Sequence, residues 1–224
     1  MKRIMPLVVI LITSFVFAQK PIVQDVGEFS TLKVYDLINV ELIKSDKNRV
    51  EISGRDAADV VIVNKNKTLK IRMQLDEMYD GNKTEVKLYY TAFDILDANE
   101  GASILSNEEI KQYEVDLRAQ EGGFINVNLA TSETIIKAVT GGTIETNGTT
   151  TNQVIKVNTG GIYQGKNLIS ESSELKIKAG GEVEVNATEL VDVHITAGGD
   201  VYIYGDPKNI NESKALGGRI KRMQ

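Results

Sequence analysis

No cysteine and no tryptophan occur among the 224 residues, and there is a single histidine. Without cysteine the chain can form no disulfide, no zinc-thiolate or iron-sulfur site and no thiol nucleophile. One histidine is too few for metal sites that draw on two or three imidazoles. Proline is scarce, at three residues. With 19 glycines, 42% hydrophobic and 25% charged residues, the composition excludes collagen-like and low-complexity chains and suits one or two globular domains. Phosphate-loop and dinucleotide-binding patterns are missing. The Gly-Gly-x-Gly-x-Asp repeat of calcium-binding solenoids is missing as well, because the corners here read Gly-Gly-Thr-Ile, Gly-Gly-Ile-Tyr and Gly-Gly-Glu-Val. No cofactor and no metal is therefore expected.

The one long apolar run lies at the amino terminus. Lys2 and Arg3 precede the stretch Leu7–Phe17, and Val16-Phe17-Ala18 suits signal-peptidase cleavage before Gln19. The run is too short to span a bilayer. Residues 1–18 are thus expected to be a signal peptide, the mature chain being exported with no transmembrane anchor to the periplasm, the outer-membrane surface or the exterior. Removing Lys2 and Arg3 leaves 24 basic against 31 acidic residues, a formal charge of −7, which argues against nucleic acid as a partner.

A diglycine recurs through the second half. The second glycines, Gly123, Gly142, Gly161, Gly181, Gly199 and Gly218, are 19, 19, 20, 18 and 19 residues apart. Gly101-Ala102 is a degenerate earlier copy. Six residues before the second glycine stand Leu117, Ile136, Ile155, Leu175 and Val193, and four before it Ala119, Ala138, Val157, Ile177 and Ile195. Two after it come Ile125, Ile144, Tyr163, Val183 and Val201, and four after it Val127, Thr146, Gly165, Val185 and Ile203. Alternation on both sides of the glycines is strand periodicity. Each repeat has the same order and polarity, so stacking in register pairs every strand in parallel with its equivalent one turn away. The expected fold is all-β, a parallel β-helix-like solenoid with turns of about 19 residues.

The organisation expected is a signal peptide at 1–18, an irregular all-β part at 19–95 continuous with the coil, the regular coil at 96–205 and a carboxy-terminal cap at 206–224. In the last copy the inward slots hold Glu212, Lys214, Ile220 and Arg222, and charge there would blunt an exposed edge.

Several stretches resemble the bacterial head GIN domain family, whose members are described as auto-transporter adhesins. They are Phe29-Ser30-Thr31-Leu32-Lys33-Val34, the Glu100-Gly101-Ala102-Ser103 corner, the diglycine corners, Tyr204-Gly205-Asp206-Pro207, and Leu216-Gly217-Gly218-Arg219-Ile220. The resemblance implies a right-handed β-helix-like fold and an envelope or surface location in Bacteroidetes-type bacteria. It supplies no catalytic residues.

Outward positions offer two candidate ligand surfaces. Arg118, Lys137, Lys156, Lys176 and His194 all stand five residues before a second glycine, so they should stack about 4.8 Å apart as a basic stripe able to meet a glycan or an anionic envelope polymer. The alternative is a solvated face balanced by Asp116, Glu174 and Asp192. Tyr202 and Tyr204 could stack sugar rings or sit beneath the cap. Asn128, Asn147 and Asn186 should form a short amide ladder. Asp192 with His194 lacks a nucleophile motif.

The function expected is a non-enzymatic, adhesin-like binding protein of the envelope. Two alternatives are a polysaccharide-acting β-helix enzyme, lyase or hydrolase, and a structural protein that self-associates as a homo-oligomer.

Overall fold

The computed structural model describes residues 20–223. The signal peptide expected over residues 1–18 lies outside them. Eight short strands come first: β1 (Ile22–Asp25), β2 (Thr31–Val34), β3 (Asn39–Lys44), β4 (Arg49–Gly54), β5 (Val60–Lys65), β6 (Thr68–Met73), β7 (Thr84–Tyr90) and β8 (Ile95–Ala98). Five long ones follow: β9 (Ser103–Ala119), β10 (Phe124–Val139), β11 (Thr143–Asn158), β12 (Ile162–Ile177) and β13 (Glu182–Ala197). The last are β14 (Asp200–Tyr204), β15 (Asn209–Leu216) and β16 (Arg219–Arg222).

The chain forms a β-solenoid of about seven turns. Strands β9 to β13 pair in parallel with their successors, and the offset is the glycine cadence: Ile136 lies opposite Ile155, Ile155 opposite Leu175, and Leu175 opposite Val193. These residues, with Leu117, are fully buried, as are the columns that include Ala119, Ile125 and Val183. Each buried Leu, Ile or Val contributes roughly 1.5–3 kcal/mol, and only stacking provides the burial, since a lone turn has no interior.

Each turn closes at two corners of different chemistry. At the diglycine corner, glycine is required for one of two reasons. A Cβ on Gly142 would stand 2.2 Å from the carbonyl oxygen of Ala119 in the previous turn, whereas Gly199 has a φ of +110°. The second corner lies inside the long strands, and in β10 and β12 it has hydroxyls instead. Thr131 and Thr134 bond through their side chains at 2.8 Å, and so do Ser170 and Ser173. Residues three apart on a straight strand point to opposite faces. The short contacts therefore mark a sharp bend with both hydroxyls on its inner side. Thr150, bonded to Thr134 at 3.1 Å, and Gln153, bonded to Ser170 and Ser173 at 3.0 Å each, continue this polar seam between turns.

Toward the amino terminus the spatial order departs from the sequence order. Leu32 on β2 lies between Leu69 on β6 and Leu96 on β8, and Val40 on β3 lies between Val86 on β7 and Ile104 on β9. The turn made by β2 and β3 is thus inserted between two later ones. Antiparallel strands β5, β4 and β1 finish that end. At the other end β15 and β16 pair in parallel with β13 and β14, placing Glu212 opposite Val193 and Arg222 opposite Ile203.

Candidate functional site

The register that buries the aliphatic columns also sets the outward ones. Lys137 lies opposite both Arg118 and Lys156, and Lys176 opposite both Lys156 and His194. Strand β8 extends the column upstream, because Asp97 pairs with Arg118 and Lys33 with Asp97. The result is one ladder: Lys33, Asp97, Arg118, Lys137, Lys156, Lys176, His194.

This ladder lines a groove. A cavity of about 670 Å³ is bordered by Lys33, Asp97, Arg118, Lys137, Lys156 and Lys176, and by Gln120, Val139, Asn158 and Lys178, each two residues further along the chain, at or just past the strand ends. His194 is the next rung in register but is not among the lining residues, and it is exposed. Tyr202 and Tyr204 lie after the corner, on β14, away from the groove. There the Tyr204 hydroxyl donates to Glu184 at 3.2 Å, Lys166 stands 4.9 Å from the Tyr204 ring centroid, and Lys221 stands 5.5 Å from that of Tyr202. The two candidate surfaces are therefore separate.

Charge along the groove is uneven. Lys33 is held by Asp97 at 2.8 Å. Arg118 engages Asp116 through two nitrogens, at 3.0 and 2.6 Å, and this hydrogen-bonded carboxylate raises the guanidinium pKa further. Lys137 reaches the same carboxylate at 3.5 Å. Lys176 pairs with Glu174 at 2.6 Å, and that hydrogen bond raises its pKa, although both partners are about half exposed. Lys156 and Lys178 have no salt-bridge partner among the described residues. Burial raises the pKa of the Tyr35 phenol, at the Lys33 end, with Lys33 opposing the shift.

A family profile described as "Putative auto-transporter adhesin, head GIN domain" matches residues 28–207. The chain belongs to the head GIN domain family. Among solved structures, this head GIN domain is similar to a "putative adhesin" of Bacteroides fragilis, at 19% identity and a TM-score of 0.82, covering 92% of this chain and 98% of that one. A "putative adhesin" of Parabacteroides merdae is similar at 15% identity and a TM-score of 0.69, covering 91% and 95%. A "Putative lipid binding protein" of Parabacteroides distasonis is similar at 20% identity and a TM-score of 0.63, covering 92% and 97%. At these identities the likeness shows the fold. No curated protein matches the chain.

Four of the seven residues singled out from the sequence thus come together in the head GIN domain groove. Lys33, Asp97, Gln120, Asn158 and Lys178 were not singled out. Lys178 was detectable, since it stands three residues before Gly181, where Val139 and Asn158 stand in the preceding repeats. Lys33 was not, because its turn is laid down out of order. The amide ladder forms in part: Asn147 donates to Asn128 at 3.3 Å, but a register irregularity in β12 leaves Asn186 bonded to the Lys166 carbonyl at 2.9 Å.

Proposed function

We propose that this protein is an exported, non-enzymatic binding module of the cell envelope whose basic groove holds an anionic polymer. The observation that carries this reading is the unbroken run Arg118–Lys137–Lys156–Lys176 lining a concave face of a chain whose overall charge is −5. Cations stacked about 4.8 Å apart along a groove concentrate field there and attract an acidic polymer despite the net negative charge. The adhesin descriptions of the family and of the similar structures support a surface-binding role. The similar structure described as lipid binding makes an anionic headgroup a natural second probe.

Binding is favoured over hydrolysis by the number and placement of the carboxylates. Acid-base cleavage of a glycoside uses two carboxyl groups that flank the scissile bond. Asp97 is the one carboxylate among the described residues that line the groove, and it is held by Lys33 at 2.8 Å, whereas Asp116 and Glu174 stand behind Arg118 and Lys176.

The test is titration of mature protein with a uronic-acid polymer and with vesicles containing an anionic phospholipid, at several salt concentrations. Saturable binding that weakens with salt and is lost in Lys156→Gln/Lys178→Gln is expected. Turnover of the polymer, or no binding of either probe, would overturn the reading.

A further inference from the structure

The groove is not a uniform track of positive charge, and its asymmetry restricts the ligand. We propose that it is divided into a neutral half that takes sugar hydroxyls and a cationic half that takes one acidic substituent, so that its ligand is a sparsely charged acidic saccharide. The proposal rests on the groove being the binding site, as argued above.

In the first half every charge is already answered. Lys33 and Asp97 cancel, and so do Arg118 and Asp116. Asn99 donates to Asp97 at 3.1 Å, and the Gln120 amide donates to the Asn99 side-chain oxygen. Asp97 and Asn99 are almost fully buried, so the network is anchored. Gln120 is half-buried at the groove wall and keeps an amide oxygen and a second N–H, and the Arg118 guanidinium keeps its remaining nitrogen. Neutral overall and fixed in place, this half offers paired donors and acceptors. Vicinal hydroxyls, each both donor and acceptor, match it, whereas a run of phosphates would find its cations already paired and Asp97 in the wall.

The second half reverses this balance. Lys156 and Lys178 lack salt-bridge partners among the described residues, and Lys137 has only a 3.5 Å share of an Asp116 already held by Arg118. The Lys176–Glu174 pair is half exposed, and such solvent-screened pairs hold each other weakly. Asn158 adds an amide beside Lys178. A carboxylate or phosphate ester seated here would be met from more than one side. The Asp97 and Lys156 rungs are three strand spacings apart, roughly 14 Å, so one short oligosaccharide along the solenoid axis could reach both halves.

The experiment compares ligands with no, one and several charges. Mature protein is titrated calorimetrically with maltotriose, 3′-sialyllactose, trigalacturonate and tripolyphosphate. The singly charged sialyllactose is expected to bind at least tenfold tighter than the other three. Lys156→Gln/Lys178→Gln should reduce it to the level of maltotriose. Gln120→Ala should weaken both of those sugars and leave tripolyphosphate unchanged. If trigalacturonate or tripolyphosphate binds tightest, or if sialyllactose is no better than maltotriose, the division into halves is wrong while a polyanion groove survives. If none of the four binds and the uronic-acid polymer and vesicles are also silent, the groove reading itself fails.

Discussion

The ring of Tyr163 fills the space that a side chain at position 165 would need. A Cβ on Gly165 would stand 2.5 Å from the ring, which is completely buried and directed inward where the neighbouring turns have Ile144 and Val183. Its hydroxyl bonds to Thr146 at 2.9 Å and donates to Gln153 at 2.8 Å, and burial holds the phenol protonated far above its ordinary range. Gly165→Ala should destabilise the protein by about 1–3 kcal/mol through overpacking. Tyr163→Phe should cost about 1–3 kcal/mol by leaving the Thr146 and Gln153 atoms unsatisfied. Urea unfolding of both variants, and of Gly165→Ala/Tyr163→Leu, in which the clash is relieved, checks the pairing.

The two glycines of one corner should respond unequally. Gly141 has a φ of +72° with nothing within 4 Å of an added Cβ, so Gly141→Ala should cost only the left-handed backbone penalty, about 1–2 kcal/mol. Gly142→Ala drives a methyl into the Ala119 carbonyl of the turn below and should cost about 3 kcal/mol or more. Equal urea midpoints for the two variants would contradict the close approach between turns.

Glu100 gives the stability a pH dependence of defined sign. Burial, and then the neighbouring charge of Asp36, raise its pKa above the ordinary 4.5, with Glu121 adding to the effect. A carboxyl raised on folding binds its proton more tightly in the native state, so ionisation costs stability as pH rises from the ordinary value through the native one. Glu100→Gln should therefore be more stable than the parent at pH 7, and the advantage should vanish below about pH 4. Melting temperatures measured in parallel across that range decide it.

Asp116 is the counter-charge whose removal should strengthen anion binding. It is shared by Arg118 and Lys137, so Asp116→Asn frees two cations facing the groove. Affinity for tripolyphosphate should rise several-fold, opposite in direction to Lys156→Gln/Lys178→Gln, while stability falls by about 1–3 kcal/mol through loss of a largely buried, bidentate partner. Calorimetric titration of all three proteins at one salt concentration checks the ordering.

The coil was legible because alternation around a fixed glycine cadence leaves a one-dimensional stack little freedom. Once Gly142 is aligned with Gly161, the burial of Ile136 and Ile155 and the stacking of Lys137 on Lys156 follow together. Three things were not legible. Concavity of the basic face is not encoded in strand periodicity, and bends inside the strands, such as that at Thr131–Thr134, carry no glycine or proline signal. The rung at Lys33 was hidden because pairing order differs from chain order, and the β2–β3 corner uses Asp36 and Leu37 at positive φ instead of glycine. Neutralisation of Arg118 by Asp116 two residues away was visible as proximity, but its bidentate geometry was not.

The misplaced turn near the amino terminus also bears on how this molecule can come to be folded. Leu32 finds its two stacking neighbours only when Leu69 and Leu96 have arrived, so its rung stays open until both later strands are in place. Closure at that end is therefore a long-range event, slower than zipping one turn onto its successor, because the entropy of a large loop has to be met before the β2 contacts form.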